Sequence, residues 1–73
     1  MTNNTVKKYH KIISIYDKIV KDTGEYSTHL GREYFAKNTA IECSNQKIKD
    51  VGRLTIWRVL KLRKEVEERI KFI

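Results

Sequence analysis

The residues of this sequence that could do chemistry are its lysines and arginines, because they outnumber the acidic residues and recur at helical spacing. The chain has 73 residues, with 16 Lys and Arg against 9 Asp and Glu, which gives a net charge of +7. The charge is +3 over residues 1–24, zero over 25–52 and +4 over 53–73. Such an excess of cations indicates an anionic partner. A solvated lysine surface without a partner is the competing interpretation.

Lysines of the first segment share one face if that segment is helical. At about 100° per residue, Lys7, Lys11, Lys18 and Lys21 gather opposite a stripe of apolar residues. Ammonium groups on one face of a helix could bind the phosphates of a nucleic acid.

The last segment places further cations beside the only tryptophan. Arg53 and Lys64 lie near Trp57 on the helical wheel, and Lys61 lies a little further round. Trp57 sits at the border of the apolar arc, so it could stack on a partner or belong to the core. Arg63 falls inside that arc, and we expect it to face a carboxylate, a phosphate or a partner.

Catalysis is not predicted, because no nucleophile lies beside a base and no carboxylates are paired at a useful spacing. His10 and His29 stand 19 positions apart without acidic residues at ligand spacing, so we interpret them as surface histidines. Cys43 is interpreted as a small buried hydrophobe. The sequence therefore predicts no enzyme, no metal site and no cofactor.

Other classes of protein are also excluded by composition. One cysteine cannot form a disulfide framework, and no long apolar run could span a membrane. No glycine-rich phosphate loop is present, and residues 1–5 do not resemble a signal peptide. We expect a cytoplasmic protein that does not associate with a membrane.

The elements that must position these residues are helices, within a single domain over residues 1–73. Apolar residues from Val6 to Val20 recur at spacings of three and four and predict a helix over 5–22, after disordered residues 1–4. Its stripe is Val6, Tyr9, Ile13, Tyr16 and Val20, flanked by Ile12 and Ile19.

A second helix is expected over residues 30–43, after Thr23-Gly24 ends the first and with Ser27 and Thr28 as capping candidates. Its apolar residues divide between two adjoining sides. One side has Leu30, Tyr34 and Ile41, and the other has Phe35, Thr39, Ala40 and Cys43. We expect Leu30, Tyr34, Phe35, Ile41 and Cys43 to join the core.

Residues 44–52 could form a short turn capped by Ser44 or a loop. From Arg53 to Ile73 the apolar spacing predicts one long helix that begins at Arg53 or Thr55. Lys64 with Glu68 and Glu67 with Lys71 are its expected ion pairs. The fold class predicted is a small all-α bundle of three to four helices.

The run Thr55-Ile56-Trp57-Arg58-Val59-Leu60 resembles the recognition-helix half of a helix-turn-helix protein. In that family the start of the helix enters the major groove of DNA. The resemblance covers six residues, and Gln46 and Asp50 stand where the family has a small residue and a glycine. It implies that Ile56, Val59 and Leu60 face the core, whereas the groove side is formed by Arg53, Thr55, Trp57, Arg58 and Lys61.

These patterns predict a small nucleic-acid-binding regulator, of the kind carried by phages and mobile elements, whose partner is duplex DNA. The alternative is a protein-binding module, an adaptor or inhibitor, that docks on an acidic partner. A homodimer through the end of the last helix is also expected, since Ile70, Phe72 and Ile73 place apolar side chains there. The candidate nucleic-acid-binding residues are Arg53, Thr55, Trp57, Arg58, Lys61, Lys64, Lys7, Lys11 and Lys18.

Overall fold

The structure, a computed structural model, describes the backbone of residues 1–23 and 27–73 and the side chains of residues 1–23 and 31–73. Within those ranges the chain forms four helices and no strand, so the predicted all-α bundle is confirmed. None of the described helices combines the length and the apolar character needed to cross a bilayer. In chain order the helices are α1 (Asn3–Thr23), α2 (Ser27–Asn45), α3 (Arg53–Lys61) and α4 (Arg63–Ile70).

Helix α1 starts earlier than the sequence predicts. The Thr5 amide donates to Thr2 Oγ1 at 3.2 Å, and this cap brings Asn3 and Asn4, predicted to be disordered, into the helix. The predicted stripe is confirmed as the inward face except at Val20, which is only half-buried. Its buried members are Val6, Ile12 and Ile13, together with Ile15, which the stripe did not include, while Tyr9, Tyr16 and Ile19 pack partly against them.

We expected the side of α2 with Tyr34 and Ile41 to join the core, but a different side of the helix faces inward. Both of these residues are exposed, at 41% and 50%, so their assignment to the core is wrong. The Thr39 hydroxyl donates to the Phe35 carbonyl at 2.6 Å, which lets a polar residue lie among apolar ones. Gly24 and the side chains of Ser27, Thr28, His29 and Leu30 lie outside the described residues. The buried residues of α2 are Phe35, Ala36, Thr39 and Cys43.

A seven-residue connection without helical structure follows α2, so residues 44–52 are not a capped helical turn beyond Asn45. The Ile48 amide donates to the Cys43 carbonyl at 2.9 Å, and Ile48 and Val51 pack against the core. The Arg53 side chain, at the start of α3, then reaches Glu33 in the first half of α2. The connection therefore runs back along α2 before α3 begins.

The predicted single helix over residues 53–73 is wrong, because the chain breaks at Leu62. Leu62 has φ −93° and ψ 6°, and its amide is shared between the carbonyls of Arg58 and Val59. Beyond this tight turn Val66 is fully buried and Arg63 reaches Asp17 of α1, while Leu62 itself packs against the core.

Helices α1 and α3 form the centre of the bundle. Each contacts all three other helices, whereas α2 and α4 have no contact with each other among the described residues. Because α1 and α3 meet through their inward faces, their outward faces lie on opposite sides of the bundle. The Cα positions extend over 36 × 22 × 18 Å. Two separate surfaces of this small molecule are thereby available to partners.

Candidate nucleic-acid interface

The outward face of α3 is formed by Leu54, Arg58 and Lys61, which recur at intervals of four and three residues. All three side chains are exposed, and Leu54 is 81% exposed although it is a large apolar residue. Ile56 and Val59 are fully buried on the other side of the helix and anchor it to the core. The core-side residues implied by the helix-turn-helix resemblance thus lie inward, with Leu60 partly buried.

Arg58 and Lys61 form no ion pair with any carboxylate that the structure describes. Arg53 differs, because its Nη1 donates to Glu33 Oε2 at 2.7 Å. Both partners are about two-thirds exposed, at 65% and 66%, so water competes with this pair and it contributes little to stability. A phosphate could replace the Glu33 carboxylate at little cost. The α3 face therefore offers two unpaired cations and a third that is weakly held.

Trp57 is partly buried, between the core position and the surface position that the sequence left open. Part of its ring packs against the core, and the rest lines a shallow cleft with Tyr16, Arg32, Lys61 and Arg63. Thr55 is half-buried beside the start of α3, where its hydroxyl lies 3.4 Å from the Asp50 carbonyl oxygen and donates to it. Trp57 is thus fixed by the core yet borders the basic face.

Arg63 faces a carboxylate, as the sequence predicted. Its Nη1 donates to Asp17 Oδ1 at 2.9 Å, its Nη2 donates to Asp17 Oδ2, and its Nε donates to Glu67 at 3.0 Å. The hydrogen bond with Asp17 raises the pKa of the guanidinium group above its ordinary value. Because two carboxylates already satisfy Arg63, it is a structural residue and not an anion-binding one.

Lys64 is exposed in the first turn of α4, a helix whose charges balance. Helix α4 carries three cations and three glutamates. The expected pairs Lys64 with Glu68 and Glu67 with Lys71 are not among the ion pairs that the structure shows in its described part, and Glu67 is bonded to Arg63 instead. The pairs observed in α4 are Arg63 with Glu67 and Arg69 with Glu65, each at 3.0 Å.

Lys7, Lys11 and Lys18 are exposed on the outward face of α1, so the fold does not bring them together with Arg58 and Lys61. The nine candidate residues therefore belong to separate surfaces. Sequence reasoning also missed Leu54. Its signal was present, because on the helical wheel Leu54 lies opposite the arc of Ile56 and Val59.

Groups suited to catalysis or metal binding are not assembled in the described part of the chain. No three His, Cys, Asp or Glu side chains there could hold a metal ion. Cys43 is fully buried, and burial raises the pKa of its thiol, which disfavours the reactive thiolate. His10 is half-buried on α1, and its carbonyl accepts a hydrogen bond from Ser14 at 3.0 Å.

Comparison of the chain with protein-family models, with curated proteins and with solved structures found no match. The function proposed below rests on the geometry and charge of the α3 face.

Proposed function

We propose that the protein binds duplex DNA through the outward face of α3 and acts as a small DNA-binding regulator. The observation that carries this proposal is the pair of unpaired cations, Arg58 and Lys61, on a helix anchored by Ile56 and Val59. Cations that no carboxylate of the fold neutralises are free to displace counterions from DNA.

The dimensions of α3 suit the major groove. A helix with its side chains is about 10–12 Å across, and the major groove is about 12 Å wide and admits one helix. Arg58 could donate two hydrogen bonds to a guanine or bind a phosphate, while Lys61 suits a phosphate. Leu54, between them and the start of α3, is placed to contact a thymine methyl group.

The connection between α2 and α3 differs from that of a helix-turn-helix. That motif uses a turn of about three to four residues, whereas seven residues separate Asn45 from Arg53 here. The proposal accordingly depends on the exposed face of α3 and not on a tight turn before it.

A titration with duplex DNA tests the proposal, with the fluorescence of Trp57 as the readout. Trp57 is the only tryptophan and borders Lys61 in the cleft, so occupation of the α3 face should change its emission. The logarithm of the affinity should fall linearly with the logarithm of salt concentration, by about 0.9 for each phosphate neutralised.

Paired variants separate the surface from the total charge. Arg58→Ala/Lys61→Ala should lose about tenfold or more in affinity while keeping its circular dichroism and melting temperature. Lys47→Ala/Lys49→Ala removes the same charge from the exposed connection and should bind nearly as well as the parent. Equal affinities for the two variants would exclude α3 as the binding surface.

An acidic protein is the second candidate partner, favoured by the 81% exposure of Leu54 beside the half-buried Trp57. An apolar anchor flanked by cations is typical of a protein-binding surface. This candidate predicts no duplex binding even at low salt. It also predicts a stoichiometric complex with one acidic protein that Leu54→Ala abolishes.

We also propose that two copies associate through the end of α4 and the residues after it. Phe72 is 90% exposed and Ile73 is 44% exposed, next to the partly buried Ile70. Burial of these large apolar side chains by a second copy lowers the free energy of the pair. Light scattering after size exclusion should give the mass of a dimer, and Phe72→Ser should give that of a monomer.

A further inference from the structure

The outward face of α1 is a lysine surface on the side of the bundle away from α3. Lys7, Lys11 and Lys18 are exposed there and form no ion pair with a carboxylate in the described ranges. Ser14 lies among them on the same face, and its hydroxyl is turned back to the helix backbone. No large apolar side chain is exposed between Lys7 and Lys18. One carboxylate lies beside these lysines, because Asp22 is exposed four residues after Lys18 and lines a cleft with it, so the surface is mainly but not purely cationic.

The fold itself removes a carboxylate from this surface. Helix α1 has five lysines and two aspartates, and one of those aspartates, Asp17, is held at the side of the helix by Arg63 of α4. Asp17 therefore serves Arg63 and does not neutralise a lysine of the outward face. Only the second aspartate, Asp22, remains beside the outward lysines, so that face keeps an excess of positive charge.

We infer that the outward face of α1 is a second DNA-binding surface, so that one molecule holds two duplexes on opposite sides of the bundle. Lys7 and Lys18 are eleven residues apart, which corresponds to about 16 Å along the helix. Duplex DNA presents one phosphate charge per about 1.7 Å of axis, so several phosphates lie within reach of these flexible side chains. Binding at this face is to the phosphate backbone and independent of base sequence.

The chemistry of the face argues against two other occupants. A membrane-surface helix needs apolar side chains beside its cations, and the stripe that α1 possesses is buried in the bundle. A protein partner would also be expected to find an apolar anchor, as Leu54 provides on α3. A face on which ammonium groups predominate is complementary to a polyanion.

The thickness of the bundle allows both surfaces to be occupied together. The shorter Cα extents are 22 and 18 Å, and they separate duplexes that lie on opposite sides. This distance is more than twice the Debye length of about 8 Å at physiological ionic strength, so repulsion between the duplexes is largely screened. Bridging requires the proposed binding of DNA by α3, whereas binding of DNA at the α1 surface does not depend on that proposal.

A two-duplex capture experiment tests the inference. One duplex is biotinylated and held on beads, a second duplex of unrelated sequence carries a fluorophore, and the full chain is added in low salt. Fluorescence retained on the beads then measures bridging. Binding of a single duplex is measured separately through the emission of Trp57, which lies near the α3 face.

Three variants identify the surface. Lys7→Gln/Lys11→Gln/Lys18→Gln should reduce capture of the second duplex about tenfold or more, while its single-duplex affinity stays close to that of the charge control. Arg58→Ala/Lys61→Ala should lose both the Trp57 response and bridging. The charge control removes three exposed cations from other surfaces and should bridge as the parent does; it is Lys47→Gln/Lys49→Gln/Lys71→Gln.

The outcomes that overturn the inference differ from those that overturn the proposed function. Capture by the α1 variant equal to that of the charge control would show that α1 is not the second surface, and that bridging comes from pairs of molecules. Single-duplex binding without any capture would also exclude it. If the bead-held duplex retains Arg58→Ala/Lys61→Ala as it retains the parent protein but does not retain the α1 variant, the α3 proposal fails and the α1 surface stands as the DNA-binding one.

Discussion

Asp17 of α1 and Arg63 of α4, 46 positions apart in sequence, form a two-pronged ion pair that joins the two helices. Both Nη atoms of Arg63 donate to the Asp17 carboxylate, with 2.9 Å between Nη1 and Oδ1. Nε donates to Glu67, one turn further along α4, at 3.0 Å. Arg63 is the first residue of α4, directly after the break at Leu62, so this ion pair fixes the start of α4 against α1.

A double-mutant cycle should detect this coupling. Asp17→Asn and Arg63→Gln each remove one charge, and we expect a coupling free energy of about 1 kcal/mol. The two-pronged geometry strengthens the pair, whereas the partial exposure of both side chains, at 45% and 39%, weakens it. Urea unfolding of the four proteins measures the coupling, which should shrink as salt is added. A coupling near zero at low salt would mean that α4 is held by Val66 and Ile70 alone.

Truncation of the core should separate the inward faces of α1 and α3 from their outward faces. Ile13→Ala and Val59→Ala should each lower the free energy of unfolding by about 1 to 4 kcal/mol, because both side chains are buried. Lys11→Ala, on the outward face of α1, should change it by less than about 0.5 kcal/mol. Thermal melts of the three variants provide the comparison. Equal melting temperatures would contradict the packing of α1 against α3.

The sequence predicts those parts of the fold in which one periodic pattern dominates. The apolar stripe from Val6 to Ile19 can face the core in only one orientation of α1, since the opposite face of the helix is polar. The structure confirms this orientation. Arg63 inside an apolar arc could be interpreted correctly as a paired cation, because a half-buried guanidinium needs an acceptor. The exposure of the α1 lysines could also be predicted, because they lie on the helix face opposite the apolar stripe.

Other features depend on contacts that no local pattern contains. Helix α2 has two adjoining apolar sides, and the choice between Tyr34 and Phe35 is made by Tyr16 of α1, whose ring meets Phe35 edge to face at 6.2 Å between centroids. The break at Leu62 is likewise set by packing, since no glycine or proline marks it. The division of the cations between two opposite surfaces follows only from the order in which four helices contact one another.

Gly31 should be intolerant of substitution, because its backbone lies where other residues are strained. With φ 70° and ψ 172° it occupies a region that is essentially confined to glycine, and it interrupts the helical geometry of α2. Gly31→Ser should lower the free energy of unfolding by about 1 to 3 kcal/mol.

The matched control for Gly31 is the same substitution at Gly52. Its φ of −102° suits any residue, a Cβ there meets open space, and it precedes α3 without a side-chain cap. Gly52→Ser should therefore be neutral or stabilising, because a serine at this position can cap the helix. Chemical unfolding of both variants gives the comparison, and equal losses would show that the backbone at Gly31 imposes no special requirement.

Cys43 should make the stability of the protein fall at alkaline pH. Burial raises the pKa of its thiol, the nearby Glu42 raises it further, and Lys8 acts in the opposite direction. Because the folded state resists ionisation, its stability is complete below the thiol pKa of the unfolded chain and is lost as pH rises above that value, about 9. The free energy of unfolding should thus decrease more steeply between pH 8 and pH 10 for the parent than for Cys43→Ala.

The alanine variant serves as the control, since every other ionisable group is common to both proteins. It should be less stable at pH 7 by about 1 kcal/mol, because the sulfur leaves a small cavity in the core. The two stability curves should therefore converge as pH rises. A thiol reagent should react with native Cys43 only as fast as the protein opens. Labelling as rapid as that of a free thiol, together with parallel stability curves, would show that this side chain lies at the surface.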